Sequence, residues 1–139
     1  MTKKIWINGT FDVLHIGHLH LIKEAANLGS VKVGIDSDQR VRELKGESRP
    51  INSENDRRDF LLAIKGVDSV EIFNTEDELI DLIKSYSPDC FVIGNDYTEK
   101  KIIGIEHVKE IVFIPRIKNY SSTEIISKII SNEKSIGDR

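Results

Sequence analysis

Lys4-Ile5-Trp6-Ile7-Asn8-Gly9-Thr10-Phe11-Asp12-Val13-Leu14-His15-Ile16-Gly17-His18 sets a short apolar run, a glycine turn and two histidines in succession. Lys4 to Asn8 reads as a strand that ends at Gly9. From about Gly17 to Leu28 the pattern is helical, with Leu19, Ile22, Ala25, Ala26 and Leu28 as its apolar positions. Gly29 is placed to end that helix.

The same alternation continues along the chain. Val31 to Ile35 is a second apolar run, closed by Asp36-Ser37-Asp38. A polar section from Gln39 to Ile51 follows. Ser53, with Asp56 three residues on, resembles a capping box for a helix to about Lys65, with Phe60, Leu61 and Ile64 inward. Val70 to Phe73 reads as a strand, and Glu76 to Tyr86 as a helix stopped by Ser87-Pro88. Cys90 to Ile93 is a further strand, Lys101 to Val108 is compatible with a short helix, and Glu110 to Ile114 is a fifth strand. Ser121 and Glu124 form a capping box for a last helix to about Ile130. This predicts a single α/β domain over residues 1–131. It is Rossmann-like and doubly wound, with a mainly five-stranded parallel sheet and helices on both faces. Residues 132–139 read as a polar, frayed tail.

The chain has 139 residues, 39% hydrophobic and 31% charged, with a formal net charge of −3. That size buries a real core without disulfides or a structural metal. Basic and acidic residues are mixed, so no stretch looks like a nucleic-acid footprint. The single cysteine, Cys90, sits in an apolar run and reads as a core residue; it excludes a disulfide within the chain and a multi-thiolate zinc site. The apolar run at the N-terminus is too short for a signal peptide or a membrane span. A cytoplasmic protein without membrane partners is the expectation.

In doubly wound sheets, ligands sit beyond the carboxyl ends of the strands. Glycines, histidines, cations and hydroxyls follow those ends here. His15 and His18 are three residues apart, which places them on one helix face. Gly17 between them permits close approach, and Gly9 with Thr10 frees a turn to present N–H groups. A helix N-terminus adds partial positive charge. Together these parts suit a polyphosphate, although neither a P-loop nor a dinucleotide fingerprint is present. A metal site is the competing reading of the pair. It is disfavoured because no third Cys or carboxylate lies nearby at ligand spacing, so no metal ligands are assigned. His20 points about 160° away from the His15–His18 face, and His107 has no motif around it.

Gly9 to His18 resembles the HxGH motif of the cytidylyltransferase-like superfamily, including its Gly-x-Phe-Asp lead-in. The segment Pro115 to Ile125 resembles the Arg-x-x-x-x-Ser-Thr-Thr motif of glycerol-3-phosphate cytidylyltransferases. There Arg116, Ser121 and Thr123 carry over, Ser122 is a conservative change, and Ile117, Lys118, Asn119 and Tyr120 depart from the pattern. The middle of the chain resembles another branch, the adenylyltransferase that activates heptose 1-phosphate. Its marks are Asp36-Ser37-Asp38, Leu44-Lys45-Gly46, Arg49-Pro50-Ile51-Asn52, Arg57, Gly94-Asn95-Asp96-Tyr97 and Ile103-Gly104. That enzyme is often fused to a sugar kinase, and these 139 residues hold no kinase domain. The likeness extends from about Lys4 to Ile130.

The resemblance implies a reaction in which an acceptor phosphate attacks the α-phosphorus of an NTP and pyrophosphate leaves. Catalysis would rest on position and charge cancellation. It implies catalytic roles for His15, His18, Lys45 and Arg57. Nucleotide contacts would come from Gly9, Thr10, Phe11, Asp12 and Gly17, from Gly94 and Asp96, and from Arg116, Ser121, Ser122 and Thr123. Acceptor contacts would come from Asp38, Lys45, Arg57 and Tyr97. Mg2+ would be carried mainly by the NTP phosphates, and a homodimer is implied. Arg40, Arg42, Arg49 and Arg58 read as solvated. The expected reaction joins ATP or CTP to a sugar 1-phosphate. The alternatives are a glycerol-3-phosphate or related polyol-phosphate cytidylyltransferase, and a non-catalytic nucleotide-binding module.

Overall fold

The structure, a computed structural model, describes residues 2–94, 102–117 and 120–137, with side chains to residue 133. Its elements run β1 (Lys4–Gly9), α1 (Ile16–Leu28), β2 (Ser30–Asp36), α2 (Asp38–Lys45), α3 (Glu54–Leu62), β3 (Val67–Phe73), α4 (Glu76–Tyr86), β4 (Cys90–Gly94), a 3-10 turn (Ile105–His107), β5 (Glu110–Ile114) and α5 (Ser122–Gly137). The five strands form one parallel sheet in the order β3-β2-β1-β4-β5. The chain winds outward from β1 to β3, then crosses to β4 and β5. The switch point therefore lies between β1 and β4.

Alternation along β1 divides the core between the two faces of the sheet. Ile5 and Ile7 pack with Ile22 and Ala25 of α1 and Leu61 of α3. Trp6 points the other way, onto Leu79 and Ile83 of α4. Helices therefore cover both faces. A strand buried on both sides needs apolar residues throughout, as Val33, Ile35 and Ile5 to Ile7 supply, all 0% exposed. Each such Ile or Val stabilises the fold by about 1.5–3 kcal/mol relative to an exposed position. Gly34 in β2 makes room for Trp6: a Cβ there would lie 2.5 Å from Cζ2 of the indole. The indole N–H donates to Asn8 Oδ1 at 2.8 Å, so the buried ring keeps its polar atom satisfied. Cys90 is buried in the α1–α3 face, as its apolar surroundings predict. No described helix is long and apolar enough to cross a membrane.

Five expectations are corrected. The polar section after β2 contains a helix, α2, capped by Ser37, whose Oγ accepts from Arg40 N–H at 3.2 Å. Only Val41 of its eight residues is buried, so it carries almost no apolar period. In α3, Phe60 is exposed, and the inward positions are Leu61 and the unexpected Arg57. In α1, Ile22 and Ala25 are buried, whereas Leu19 and Leu28 stay more than a third exposed. Strand β3 begins at Val67 rather than Val70, and α3 ends at Leu62 rather than near Lys65. Helix α5 continues to Gly137, through most of the stretch read as a tail.

Candidate active site

A cleft of about 630 Å3 opens beyond the carboxyl ends of the strands, reached by Gly9 of β1, Asp36 of β2, Gly94 of β4 and Ile114 of β5. Thr10, Phe11 and Asp12, in the turn after β1, line its floor. Phe11 and Val13 hold φ of 52° and 51°, a left-handed backbone that costs about 1–3 kcal/mol each in non-glycine residues. Several contacts hold the turn in that shape. Phe11 is buried in the core. Ser122 Oγ, at the start of α5, donates to the carbonyls of Asp12 and Val13. The Asp12 carboxylate, 1% exposed, accepts from the N–H groups of Ile51 at 2.6 Å and Asn52 at 2.9 Å, and from Asn52 Nδ2 at 3.1 Å.

The two histidines begin α1 by capping it with each other. His15 is the N-cap, and its Nδ1 accepts from Gly17 N–H at 3.0 Å. His18 Nδ1 accepts in return from His15 N–H at 3.1 Å. Each Nδ1 therefore carries a lone pair, and each neutral ring keeps its proton on Nε2 as a donor. The rings lie with centroids 3.9 Å apart. Burial lowers the His18 pKa to about 4, and the charges of His15, Arg116 and Lys45 push the same way. His15 is lowered too, first by burial and then by Arg116. Both are neutral donors near pH 7. Gly17 is explained by the cap: a Cβ would lie 2.7 Å from His15 Cε1.

Cations flank the histidines. Lys45 ends α2 and borders the cleft. Its ammonium lies below the ordinary lysine range, through partial desolvation and then the charge of Arg49. Arg116 borders the cleft from the other side and donates to Tyr120 O at 3.3 Å. Ser121 Oγ caps α5 by accepting from Glu124 N–H at 3.0 Å, and Ser122 and Thr123 complete that wall. The α5 N-terminus thus faces the cleft with its partial positive charge.

The structure brings together Gly9, Thr10, Phe11, Asp12, His15, Gly17 and His18 with Lys45, Gly94, Arg116 and Ser121 to Thr123. It does not bring Arg57 or Asp38 among them. Arg57 is 1% exposed and donates to the carbonyls of Asn52, Thr10 and Asp36 and to Asp38 Oδ1 at 2.8 Å. It braces the segments that build the cleft instead of facing a substrate, and Asp38 is its counter-ion. Asp12 borders the cleft, but its carboxylate is engaged by the 51–52 backbone and not directed to a nucleotide. Asp96 and Tyr97 lie outside the described residues.

Arg40, Arg49, His20 and Tyr120 are among the cleft residues that were not anticipated. Arg40 borders it while bonded to Asp36 at 2.7 Å, and Arg49 has only 12% of its side chain exposed; neither is solvated as expected. His20 also reaches the cleft. Tyr120 stacks on His15 with centroids 6.2 Å apart. Among the described residues no group of three or more His, Cys, Asp or Glu is placed to hold a metal.

Known proteins resemble this chain over most of its length. The family described as cytidylyltransferase-like matches residues 6–128. The bifunctional protein HldE of Campylobacter fetus subsp. fetus (strain 82-40) is 44% identical over 126 residues, covering 90% of this chain and 27% of that protein. The bifunctional protein HldE of Hyphomonas neptunium (strain ATCC 15444) is also 44% identical over 126 residues, covering 87% of this chain and 26% of that protein. The chain thus spans about a quarter of the length of these relatives. Among solved structures, the lipopolysaccharide core biosynthesis protein from Thermoplasma volcanium GSS1 superposes with a TM-score of 0.70 at 27% identity, covering 85% of this chain and all of that one.

Proposed function

Since this chain belongs to the cytidylyltransferase-like family, we propose that it is a nucleotidyltransferase that transfers AMP from ATP to a sugar 1-phosphate of the heptose 1-phosphate class. One observation carries the reading: two histidines locked as Nε2–H donors sit between two cationic walls in one cleft. Choice of the heptose branch is supported by the motifs from Asp36 to Arg57, by the similarity to the HldE proteins, and by the likeness to a lipopolysaccharide core biosynthesis protein.

In the proposed reaction the acceptor phosphate oxygen attacks the α-phosphorus in line, a P–O bond forms, and the bond to pyrophosphate breaks. The Nε2–H groups of His15 and His18 donate to phosphate oxygens as charge develops there. Lys45 offsets the charge of the incoming phosphate. Arg116, Ser121 and Thr123, with the α5 N-terminus, hold the β- and γ-phosphates. No covalent intermediate on the protein is needed. Magnesium enters as part of the NTP substrate, bound by phosphate oxygens and water. The base contacts are proposed for Gly94 and Asp96, and an acceptor contact for Tyr97. Action in the cytoplasm, as a homodimer that light scattering would detect, belongs to the same reading.

A pyrophosphate-release assay tests it, with each of the four NTPs against heptose 1-phosphate and glycerol 3-phosphate. Turnover with ATP and heptose 1-phosphate is the expected result. Turnover with CTP and glycerol 3-phosphate would move the enzyme to the other branch, which the motif residues Arg116, Ser121 and Thr123 favour. No release with any pair would remove the reaction.

A further inference from the structure

Arg49 borders the cleft with its side chain 12% exposed, yet its Nε and Nη2 atoms are buried without a hydrogen-bond partner. Asp12 lies near, at 3.7 Å from Nε, too far for a hydrogen bond. That carboxylate is already accepting from Val13, Ile51 and Asn52. Asp12 therefore offsets the charge of Arg49 and leaves its donors open. Arg57 is the contrast: equally charged and more deeply buried, it has its donors engaged by three carbonyls and Asp38.

A buried guanidinium with open N–H groups is unfavourable unless something in the cleft accepts from it. We propose that Arg49 is the acceptor-phosphate ligand of this cleft, pairing its open Nε and Nη2 donors with two oxygens of the incoming phosphate. The inference rests on the transferase reading above. Strand order supplies the direction. Arg49 and Lys45 follow β2, on one side of the central β1, whereas Arg116 and the α5 N-terminus follow β5, on the other. In-line transfer needs entering and leaving groups on opposite sides of the α-phosphorus. With pyrophosphate on the α5 side, the acceptor falls to the Arg49 side. The charge of Arg49 lowers the Lys45 pKa there, and an anion between the two cations relieves that repulsion. A fork of two parallel N–H groups suits a phosphate in a way that a lysine ammonium does not.

The test compares Arg49→Gln and Arg49→Lys with the wild type. The KM for heptose 1-phosphate is expected to rise about ten- to a hundredfold in Arg49→Gln, with the KM for ATP changed by less than about threefold. A binding measurement runs beside it: calorimetric titration with inorganic phosphate in the presence of α,β-methylene-ATP. Phosphate affinity should fall by about tenfold or more in Arg49→Gln. Should Arg49→Gln fail to fold, Arg49→Lys decides, because it keeps the charge and loses the fork; an acceptor KM equal to wild type would overturn the proposal. Unchanged phosphate affinity in a folded Arg49→Gln, or equal losses for phosphate and nucleotide, would overturn it too. If wild-type enzyme ignores heptose 1-phosphate but loses phosphate binding on Arg49→Gln, the substrate reading fails and the Arg49 site stands.

Discussion

Asp12 and Asn52 are 40 positions apart, and one oxygen of Asp12 accepts from both the backbone N–H and the side-chain amide of Asn52, at 2.9 and 3.1 Å. That pair joins the strained turn after β1 to the loop that carries Arg49. Asp12→Asn keeps an acceptor but removes the charge, so the loop loses its anchor. Urea unfolding should show a loss of about 1–3 kcal/mol, and limited proteolysis should cut faster between Gly46 and Ile51. Wild-type stability with wild-type proteolysis would show that the pair tethers nothing.

His18 makes the chemistry visible to pH. Its folded pKa is depressed from 6.5 to about 4. The unfolded chain therefore takes up a proton more readily in that window. His18's contribution to stability is complete above about pH 6.5, and is lost as pH falls towards 4. Nitrogen-correlated NMR should find the Nε2–H tautomer and no titration of His18 above about pH 5. An apparent value near 6.5 would contradict the buried neutral donor. His18→Ala should lower turnover by about 10²-fold or more, the usual effect of losing a transition-state donor.

Gly17→Ala tests the mutual cap. Its methyl group would press on His15 Cε1 and Nδ1, at 2.7 and 2.9 Å, and push the imidazole off Gly17 N–H. A helix cap of this kind is worth about 1 kcal/mol, and a displacement of about 1 Å in a catalytic group costs about 10²-fold in rate. Both losses should occur together, in thermal melts and in pyrophosphate release. Full activity in a destabilised Gly17→Ala would separate the cap from the chemistry.

Arg57→Met should behave as a lesion of the fold. The guanidinium is 1% exposed, and its removal strands the carbonyls of Thr10 and Asp36 and the charge of Asp38. Breaking such a buried pair costs about 3–5 kcal/mol, read as a lower urea midpoint. A variant as stable as wild type, with only its acceptor KM raised, would return Arg57 to the substrate.

The contrast between Arg49 and Arg57 shows where sequence reading stops. The strands were legible because Ile5 to Ile7, then Val31, Val33 and Ile35, and Cys90 to Ile93 are apolar and buried in a parallel sheet. The cleft's floor was legible from Gly9 to His18, and the α5 wall from Ser121. Helix α2 was not, since Val41 alone reaches the core. Nor were the two arginines distinguishable: the partners of Arg57 are mainly backbone carbonyls from three segments, and no side-chain pattern records them. The cap formed by His15 and His18 escaped notice because Ser, Thr, Asp and Asn are the residues expected at a helix start.

With β1 seated between β2 and β4, the cleft's two flanks are encoded in stretches of chain that meet only at the edge of the sheet. The segment from Asp36 to Arg49 and that from Arg116 to Thr123 can therefore be altered separately while Gly9 to His18 is kept. If the flanks divide as proposed, a change of acceptor leaves the nucleotide side untouched, and the reverse holds as well. Chimeras spliced within β3 or α4 would recombine the two specificities at will.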